Sequence, residues 1–141
     1  ALGALLRRHS VATQVRLLGS REDVETVFRC FDIHVTASAF GEAFPNVICE
    51  AMLTEVPCVT TDVGDSAMII GDTGFLVPIQ SPTALAEAMI RAKMGWAETE
   101  SWEKRRKSAR ARVITKFSDT EMVRKYRELW SEVLADCKIG S

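Results

Sequence analysis

Residues 33–61 read IHVTASAFGEAFPNVICEAMLTEVPCVTT, and this stretch decides the fold class. Two β-branched runs, at residues 33–37 and 58–61, enclose a helical pattern over residues 45–54. A strand–helix–strand order of this length joins parallel strands, because a tight hairpin connects only antiparallel ones. The segment therefore predicts a βαβ unit within a parallel sheet.

The same alternation continues on both sides of this unit. Further β-branched runs at residues 15–18 and 75–77 predict two more strands. Asp23 is placed to cap a helix after the first of these runs. Ser81 followed by Pro82 predicts another helix start, because serine caps helices and proline is favoured at the first helical position. Alternating strands and helices are typical of a sheet covered by helices on both faces.

The chain from Trp96 onward shows only helical patterns. A charged segment comes first, and a second helix start follows it. Ser118 and Glu121 have the spacing of a capping box, and Phe117 and Met122 have that of a hydrophobic staple. We therefore expect one Rossmann-like α/β domain over residues 1–141. It should have three layers, in the order helices, parallel sheet, helices (αβα), and end in two or more helices.

The composition is that of an ordinary globular domain, with 141 residues of which 47% are hydrophobic and 26% charged. These fractions exclude disorder as the main state. The formal net charge of −1 gives no general attraction to nucleic acid, so we expect no nucleic-acid partner. No apolar run approaches the roughly 20 residues that span a bilayer. The four cysteines lie far apart, which predicts reduced structural thiols and a cytoplasmic location.

The loop after residues 33–37 carries the most unusual residues of the chain. Glu42 lies in this loop, and Glu50 lies eight positions later in the helix that begins near Pro45. The first turn of a helix presents unpaired N–H groups and a positive dipole end, which together favour a bound phosphate. Carboxylates accept hydrogen bonds from sugar hydroxyls, so the pair could hold a sugar and a ribose on either side of a diphosphate. Two solvent-exposed glutamates without a function are the alternative.

Three blocks of sequence carry a resemblance to a known family. Residues 41–52 read GEAFPNVICEAM, residues 56–64 read VPCVTTDVG and residues 71–78 read GDTGFLVP. In this order and spacing they resemble the C-terminal, nucleotide-sugar-binding domain of the retaining GT-B glycosyltransferases of family 4. A weaker likeness extends from residue 15 to residue 118, so the resemblance covers most of the chain.

The resemblance implies the C-terminal half of a GT-B fold and a role for each matched residue. It assigns Glu42 as the catalytic residue that contacts hydroxyls of the transferred sugar, and Glu50 as the residue that holds the nucleotide ribose. The other donor-binding residues that it implies are Gly41, Phe44, Pro45, Asn46 and Val47 around the helix start, with Ser20, Arg21 and Val24 beside the base.

The resemblance also implies a reaction. A hexose-type sugar passes with retention of configuration from a UDP- or GDP-linked donor to an acceptor hydroxyl, in the synthesis of a glycan or polysaccharide. The implied partners are the nucleotide sugar, a glycan or lipid-linked acceptor, and an N-terminal acceptor-binding domain absent from these residues. We expect no metal and no other cofactor, and the sequence has no Asp-x-Asp pair to hold a metal against a diphosphate. We expect these residues alone to bind nucleotide without catalysing transfer.

Three positions depart from the family pattern. Ala43 and Asp65 stand where glycine is usual, and Glu55 replaces the glycine that usually precedes the Val-Pro pair. A degenerate, non-catalytic domain that binds nucleotide or another protein is therefore the alternative. The presence of both Glu42 and Glu50 argues against it, because a domain without sugar chemistry has no need of paired carboxylates.

Features outside the loop have structural interpretations. Six basic side chains in residues 104–112 predict a solvated helix face. Their alternative role is a peripheral contact with the inner face of the cell membrane or with a lipid-linked acceptor. Tyr126 and Trp130 fit a core or the surface that packs on the absent domain. We expect His34 to be a strand residue without a chemical role.

Overall fold

The structure, a computed structural model, describes the backbone of residues 2–139 and the side chains of residues 2–135. Within those residues the chain forms seven helices and three strands. In chain order they are α1 (Leu2–Arg8), α2 (Val24–Phe28), β1 (His34–Thr36), α3 (Asn46–Leu53), β2 (Cys58–Thr61), α4 (Ser66–Ile70), β3 (Phe75–Val77), α5 (Pro82–Ala97), α6 (Thr99–Lys116) and α7 (Asp119–Ile139).

The three strands form a parallel sheet in the order β1-β2-β3. His34 of β1 is in register with Cys58 of β2, and Val59 of β2 is in register with Phe75 of β3. The predicted βαβ unit is confirmed, and α3 lies within one residue of the predicted helix at each end. Because β1 ends at Thr36 and α3 begins at Asn46, the loop that contains Glu42 lies beyond the carboxyl end of β1.

Helices cover both faces of this sheet. Successive residues of a strand point to opposite faces, and in β2 Cys58 belongs to one core and Val59 to the other. The Cys58 core is built with residues of α2, α3, α4 and the second half of α6. The Val59 core is built with α5 and Trp102, near the start of α6. This arrangement confirms three layers, and α6 contributes to both outer ones.

The strand predicted at residues 15–18 does not form. These residues have no strand pairing in the structure, and Leu17 is 59% exposed. An apolar, β-branched run becomes a strand only when a neighbouring strand satisfies its backbone groups. No strand among residues 2–139 pairs with it, so the segment remains an exposed connection between α1 and α2.

Two of the predicted helix starts are capped as expected, and one is not. The Ser81 hydroxyl accepts a hydrogen bond from the Ala84 N–H at 3.4 Å, and the Ser118 hydroxyl accepts one from the Glu121 N–H at 3.3 Å. The Glu121 carboxylate bonds Arg124, so the observed box is one-sided. Asp23 occupies the N-cap position of α2 without a side-chain cap bond.

Four of the six basic residues of the run in α6 make contacts within the fold, so the run is not simply a solvated face, and its contact with a membrane or a lipid-linked acceptor stays a prediction. Its arginines donate to backbone carbonyls at the ends of other helices, where such groups lack helical partners. Arg110 donates to the carbonyl of Leu53, the last residue of α3, at 2.8 Å. Arg106 donates to the carbonyl of Glu55, two residues after that helix, at 3.0 Å. The remaining bonds run from Arg112 to the Met68 and Ile69 carbonyls and from Arg105 to the Asp72 carbonyl.

One face of α7 carries apolar side chains that remain exposed. Tyr126 is 57% exposed and Trp130 is 63% exposed, so the prediction that they form a core is wrong for this chain. Contact with another domain stays a prediction. Among the described residues, no helix combines the length and apolar character needed to cross a bilayer.

Candidate donor site

The loop between β1 and α3 is held by the last residue of β2 and by the segment that follows it. The Thr61 hydroxyl donates to the Ser38 carbonyl at 2.6 Å, and the Asp65 N–H donates to the Ala43 carbonyl at 2.8 Å. Parallel neighbouring strands end at the same edge of a sheet, which brings the two loops together. Both bonds use backbone carbonyls of this loop, residues 37–45, which we call the Glu42 loop. They therefore fix its main chain.

Gly64 makes the closest approach to this loop. Its φ is +53°, and a Cβ atom there would lie 2.3 Å from the Glu42 carbonyl oxygen and 2.4 Å from that of Ala43. Only glycine fits such a contact. Gly41 also has a positive φ, of +85°, with no atom near its Cβ position, so it turns the chain without a close approach.

The N-terminus of α3 opens onto the loop without a side-chain cap. Pro45 is the N-cap residue and is buried, and its carbonyl accepts from the Ile48 N–H at 3.0 Å. Proline has no side-chain acceptor with which to satisfy the first N–H groups. The amides of Asn46 and Val47 are therefore the donors that this helix offers to an anion, with the dipole adding to the attraction.

One predicted carboxylate precedes this helix start in the chain, and the other follows it. Glu42 is exposed, and its Oε1 accepts from the Ser38 hydroxyl at 3.3 Å. Glu50 is exposed on α3, four residues after Asn46, which is about 6 Å along a helix axis. The structure therefore gives both carboxylates free oxygens for hydroxyl groups.

Glu50 and Val24 line one groove, with a volume of about 820 Å³, between α2 and α3. Glu42, Ser20 and Arg21 do not line it. The groove joins the predicted ribose residue to one of the three residues predicted beside the base. Arg21 instead bonds the Asp23 carboxylate at 2.7 and 2.5 Å.

The charge of this groove differs from that of the α3 N-terminus. Its ionisable lining residues are the carboxylates Glu22, Glu25, Glu50 and Glu55 and the cations Arg29 and Arg110. This excess of carboxylates favours hydroxyl groups over phosphates. The geometry thus offers a place for an anion at the start of α3 and a place for hydroxyl groups beside Glu50.

Phe44 contributes an aromatic face to the loop. Its ring meets that of Phe117 edge-on, with centroids 5.8 Å apart and an interplanar angle of 62°. Phe44 and Asn46 line a second groove of about 760 Å³ together with the start of α7. Phe117 was identified in the sequence only as half of a hydrophobic staple, and nothing in its local pattern indicates a contact 73 positions away.

Among the described residues, the buried side chains with strongly shifted pKa values belong to β1, α3 and β2 and not to the loop. Burial lowers the pKa of His34 to about 4. Burial, with Glu50 nearby, raises the pKa of the Cys49 thiol to about 11, and burial raises the pKa of the Cys58 thiol to about 12. Both thiols are therefore neutral near pH 7 and unsuited to act as nucleophiles. In contrast to these two, Cys30 is exposed.

Comparison with known proteins identifies the family. Residues 2–93 match the family described as "Glycosyl transferases group 1". The chain belongs to this family. It is 29% identical over 138 residues to the N-acetyl-alpha-D-glucosaminyl L-malate synthase of Bacillus anthracis, which covers 96% of this chain and 35% of that protein. The chain thus spans about a third of the length of that relative.

Solved structures confirm the fold. A glycosyltransferase from Rickettsia africae ESF-5 superimposes with a TM-score of 0.83 at 26% identity, covering 94% of this chain and 35% of that one. Anabaena HepE, solved in complex with UDP, superimposes with a TM-score of 0.81 at 24% identity, covering 93% and 36%. These neighbours have the GT-B fold, so the likeness of this group 1 domain to GT-B glycosyltransferases is confirmed.

Proposed function

We propose that this chain is the nucleotide-sugar-binding, C-terminal half of a retaining, metal-independent glycosyltransferase of family 4. The observation that carries the proposal is the uncapped N-terminus of α3, with Glu42 in the loop before it and Glu50 in its second turn. Membership of the glycosyl transferases group 1 family and a relative named as a galactosyltransferase support it. They do not favour a non-catalytic module.

The α3 N-terminus receives the diphosphate of the donor in this proposal. Negative charge builds on the diphosphate as its bond to the sugar breaks, and fixed N–H donors stabilise that charge without reorganisation. The amides of Asn46 and Val47 are directed to that place by the helix itself. In this scheme the protein meets the developing charge with backbone dipoles, and no metal ion is required.

Glu42 and Glu50 hold the two sugars of the donor. Glu42 binds hydroxyls of the transferred hexose and is the catalytic residue, because it fixes the ring relative to the leaving diphosphate. Glu50, in the groove between α2 and α3, binds the ribose hydroxyls. The base of a UDP- or GDP-linked donor then lies toward Ser20, Arg21 and Val24.

The acceptor and the location are proposals that follow from the family. The acceptor hydroxyl belongs to a glycan or a lipid-linked sugar, in line with an Escherichia coli relative, the UDP-Gal:alpha-D-GlcNAc-diphosphoundecaprenol alpha-1,3-galactosyltransferase. An N-terminal GT-B domain would bind it, and residues 1–141 alone would be inactive in transfer. A cytoplasmic enzyme, working at the inner face of the membrane when its acceptor is a lipid, fits this chemistry.

Turnover of nucleotide sugars by the full-length protein tests the proposal. We expect release of nucleoside diphosphate from a UDP- or GDP-hexose in the presence of EDTA, with the anomeric configuration of the product, read by proton NMR, matching that of the donor. Glu42→Gln should lower this turnover roughly 100-fold or more. Glu87→Gln, an exposed glutamate of α5, is the matched control and should leave it unchanged. An absolute requirement for a divalent metal, or inversion of configuration, would contradict the proposal.

A further inference from the structure

The Glu42 loop is supported on two sides by different parts of the chain. The end of β2 and the segment after it support one side through Thr61, Gly64 and Asp65, all of which contact the backbone of the loop. The other support comes from Phe117, whose ring meets the Phe44 ring edge-on at 5.8 Å. Phe44 lies between the carboxylate of Glu42 and the first turn of α3, so this second support acts inside the candidate donor site.

Phe117 is itself held firmly. It is the C-cap residue of α6, and its N–H donates to the Val113 carbonyl at 2.9 Å. Its side chain packs on the core cluster that contains Ile48 of α3 and Val113 of α6. The next residue, Ser118, caps α7. The core thus holds the Phe117 side chain, and the two helix ends hold its backbone. The ring therefore provides a rigid surface for the loop.

The ring of Phe44 is only partly buried, and Phe117 is the aromatic side chain that it contacts. Phe44 is 37% exposed, it lies in a loop, and one of its faces borders the groove at the start of α7. Edge-to-face aromatic pairs contribute more than the area they bury, because the positive ring edge meets the negative ring face. Loss of the Phe117 ring therefore leaves Phe44 free to turn and the following backbone free to move with it.

We propose that Phe117 is a positioning residue for donor binding, which holds Phe44 and thereby the start of α3 in the arrangement that receives the diphosphate. This inference rests on the proposed function for its consequence in binding. It places part of the donor site under the control of the α6–α7 junction, 71 positions after Asn46 in the sequence.

The test uses three variants of the full-length protein. Phe117→Leu keeps most of the apolar volume that packs on the core and removes the ring. Phe117→Tyr keeps the ring and is the rescue variant. Phe75→Leu is the matched control, because Phe75 is also partly buried and also has one aromatic contact, with Arg105 at 4.9 Å, but packs on the other core cluster.

Two measurements are made on each variant. Calorimetry gives the dissociation constant for whichever of UDP, GDP and ADP the unsubstituted protein binds, and hydrogen–deuterium exchange follows peptides that cover residues 40–50. For Phe117→Leu we expect the dissociation constant to rise roughly threefold to tenfold, as the loss of one aromatic pair predicts. Exchange of residues 40–50 should accelerate. Phe117→Tyr and Phe75→Leu should match the unsubstituted protein in both measurements.

Unchanged affinity and unchanged exchange in a folded Phe117→Leu protein overturn the inference. So does an equal effect of Phe75→Leu, which would indicate general loosening rather than local support. If the unsubstituted protein binds none of the three nucleotides, the proposed function fails instead. The exchange measurement then decides by itself whether the loop depends on Phe117.

Discussion

Gly64 lies directly against Glu42, with its Cβ position only 2.3 Å from the Glu42 carbonyl oxygen. Real Cβ atoms do not approach an oxygen so closely, so the loop after β2 and the loop after β1 fit together only with glycine at this position. The catalytic carboxylate of the proposed reaction therefore belongs to a residue whose backbone position is set by Gly64. This contact links the fold to the site.

Gly64→Ala should destabilise the protein and displace the Glu42 loop. The new Cβ meets rigid backbone, and φ of +53° is unfavourable for alanine. We expect the free energy of unfolding to fall by about 3 kcal/mol, combining left-handed strain with overpacking. Urea denaturation measures it. Gly19→Ala is the control, because Gly19 has φ of +71° but open space around its Cβ, and it should cost only about 1 kcal/mol. Equal losses would contradict the contact.

Glu55→Gly should stabilise the protein. Glu55 has φ of +63° in the left-handed position after α3, where its N–H donates to the Met52 carbonyl and the Val56 N–H donates to the Ala51 carbonyl. This Schellman arrangement favours glycine. Relief of strain, partly offset by the backbone entropy of glycine, should raise the free energy of unfolding by about 0.5–1 kcal/mol. Glu55→Ala keeps the strain and serves as the control. A glycine variant no more stable than the alanine variant would refute this reasoning.

Arg112→Met should destabilise the end of α4. The Arg112 guanidinium donates to the Met68 carbonyl at 2.7 Å and to the Ile69 carbonyl at 2.8 Å. Without it, two carbonyls at a helix end lose charge-assisted bonds, which we expect to cost about 1–3 kcal/mol of unfolding free energy. Thermal denaturation compares it with Lys107→Met, an exposed residue of the same helix. Similar melting temperatures for the two variants would show that the arginine is dispensable.

His34 should make the stability depend on pH. Burial lowers its folded pKa from 6.5 to about 4, and its Nε2 has no hydrogen-bond partner among the described residues. Below pH 6.5 the unfolded chain binds a proton that the folded protein does not take up until about pH 4. The contribution of neutral His34 is therefore complete above pH 6.5 and is lost as the pH falls toward 4, with a total of at most about 3 kcal/mol.

Urea denaturation from pH 7 to pH 4 measures this dependence. The unfolding free energy of the unsubstituted protein, minus that of His34→Leu, should fall steadily below pH 6.5. His9→Leu, which changes an exposed histidine, is the matched control. If the curves of the unsubstituted protein and His34→Leu run parallel, His34 titrates alike in both states and the argument fails.

Local patterns were sufficient to predict most of the fold. The βαβ unit, the Ser81 and Ser118 caps and the bounds of α3 are confirmed because each depends on residues close in sequence. The run at residues 15–18 failed because a strand depends on a partner elsewhere in the sheet. α4 was not predicted, since it has only five residues and no cap pattern was identified at its start.

The candidate site was predictable only in part, for the same physical reason. Glu42, Glu50 and the start of α3 lie within nine residues, so the sequence places them together as candidates, and their role in binding a donor was implied by the family resemblance and stays a prediction. The contacts that hold the loop come from Gly64 and Phe117, which only the folded chain brings to it. Likewise, six basic residues in a row of nine indicate charge, and only the structure shows that α6 uses arginines to bind the ends of other helices.

In the proposed function, the start of α3 and Glu50 bind the nucleotide of a sugar donor. An NMR titration of this chain with UDP, GDP and ADP in EDTA, following amide shifts, tests it most directly, with Glu50→Ala and the exposed control Glu87→Ala alongside. We expect saturable shifts at residues 44–50 with one nucleotide. Glu50→Ala should weaken the affinity for that nucleotide roughly tenfold, as for loss of a charged hydrogen-bond partner, and Glu87→Ala should leave it unchanged. No shift in that region at millimolar nucleotide, or equal binding by Glu50→Ala, would contradict the proposal.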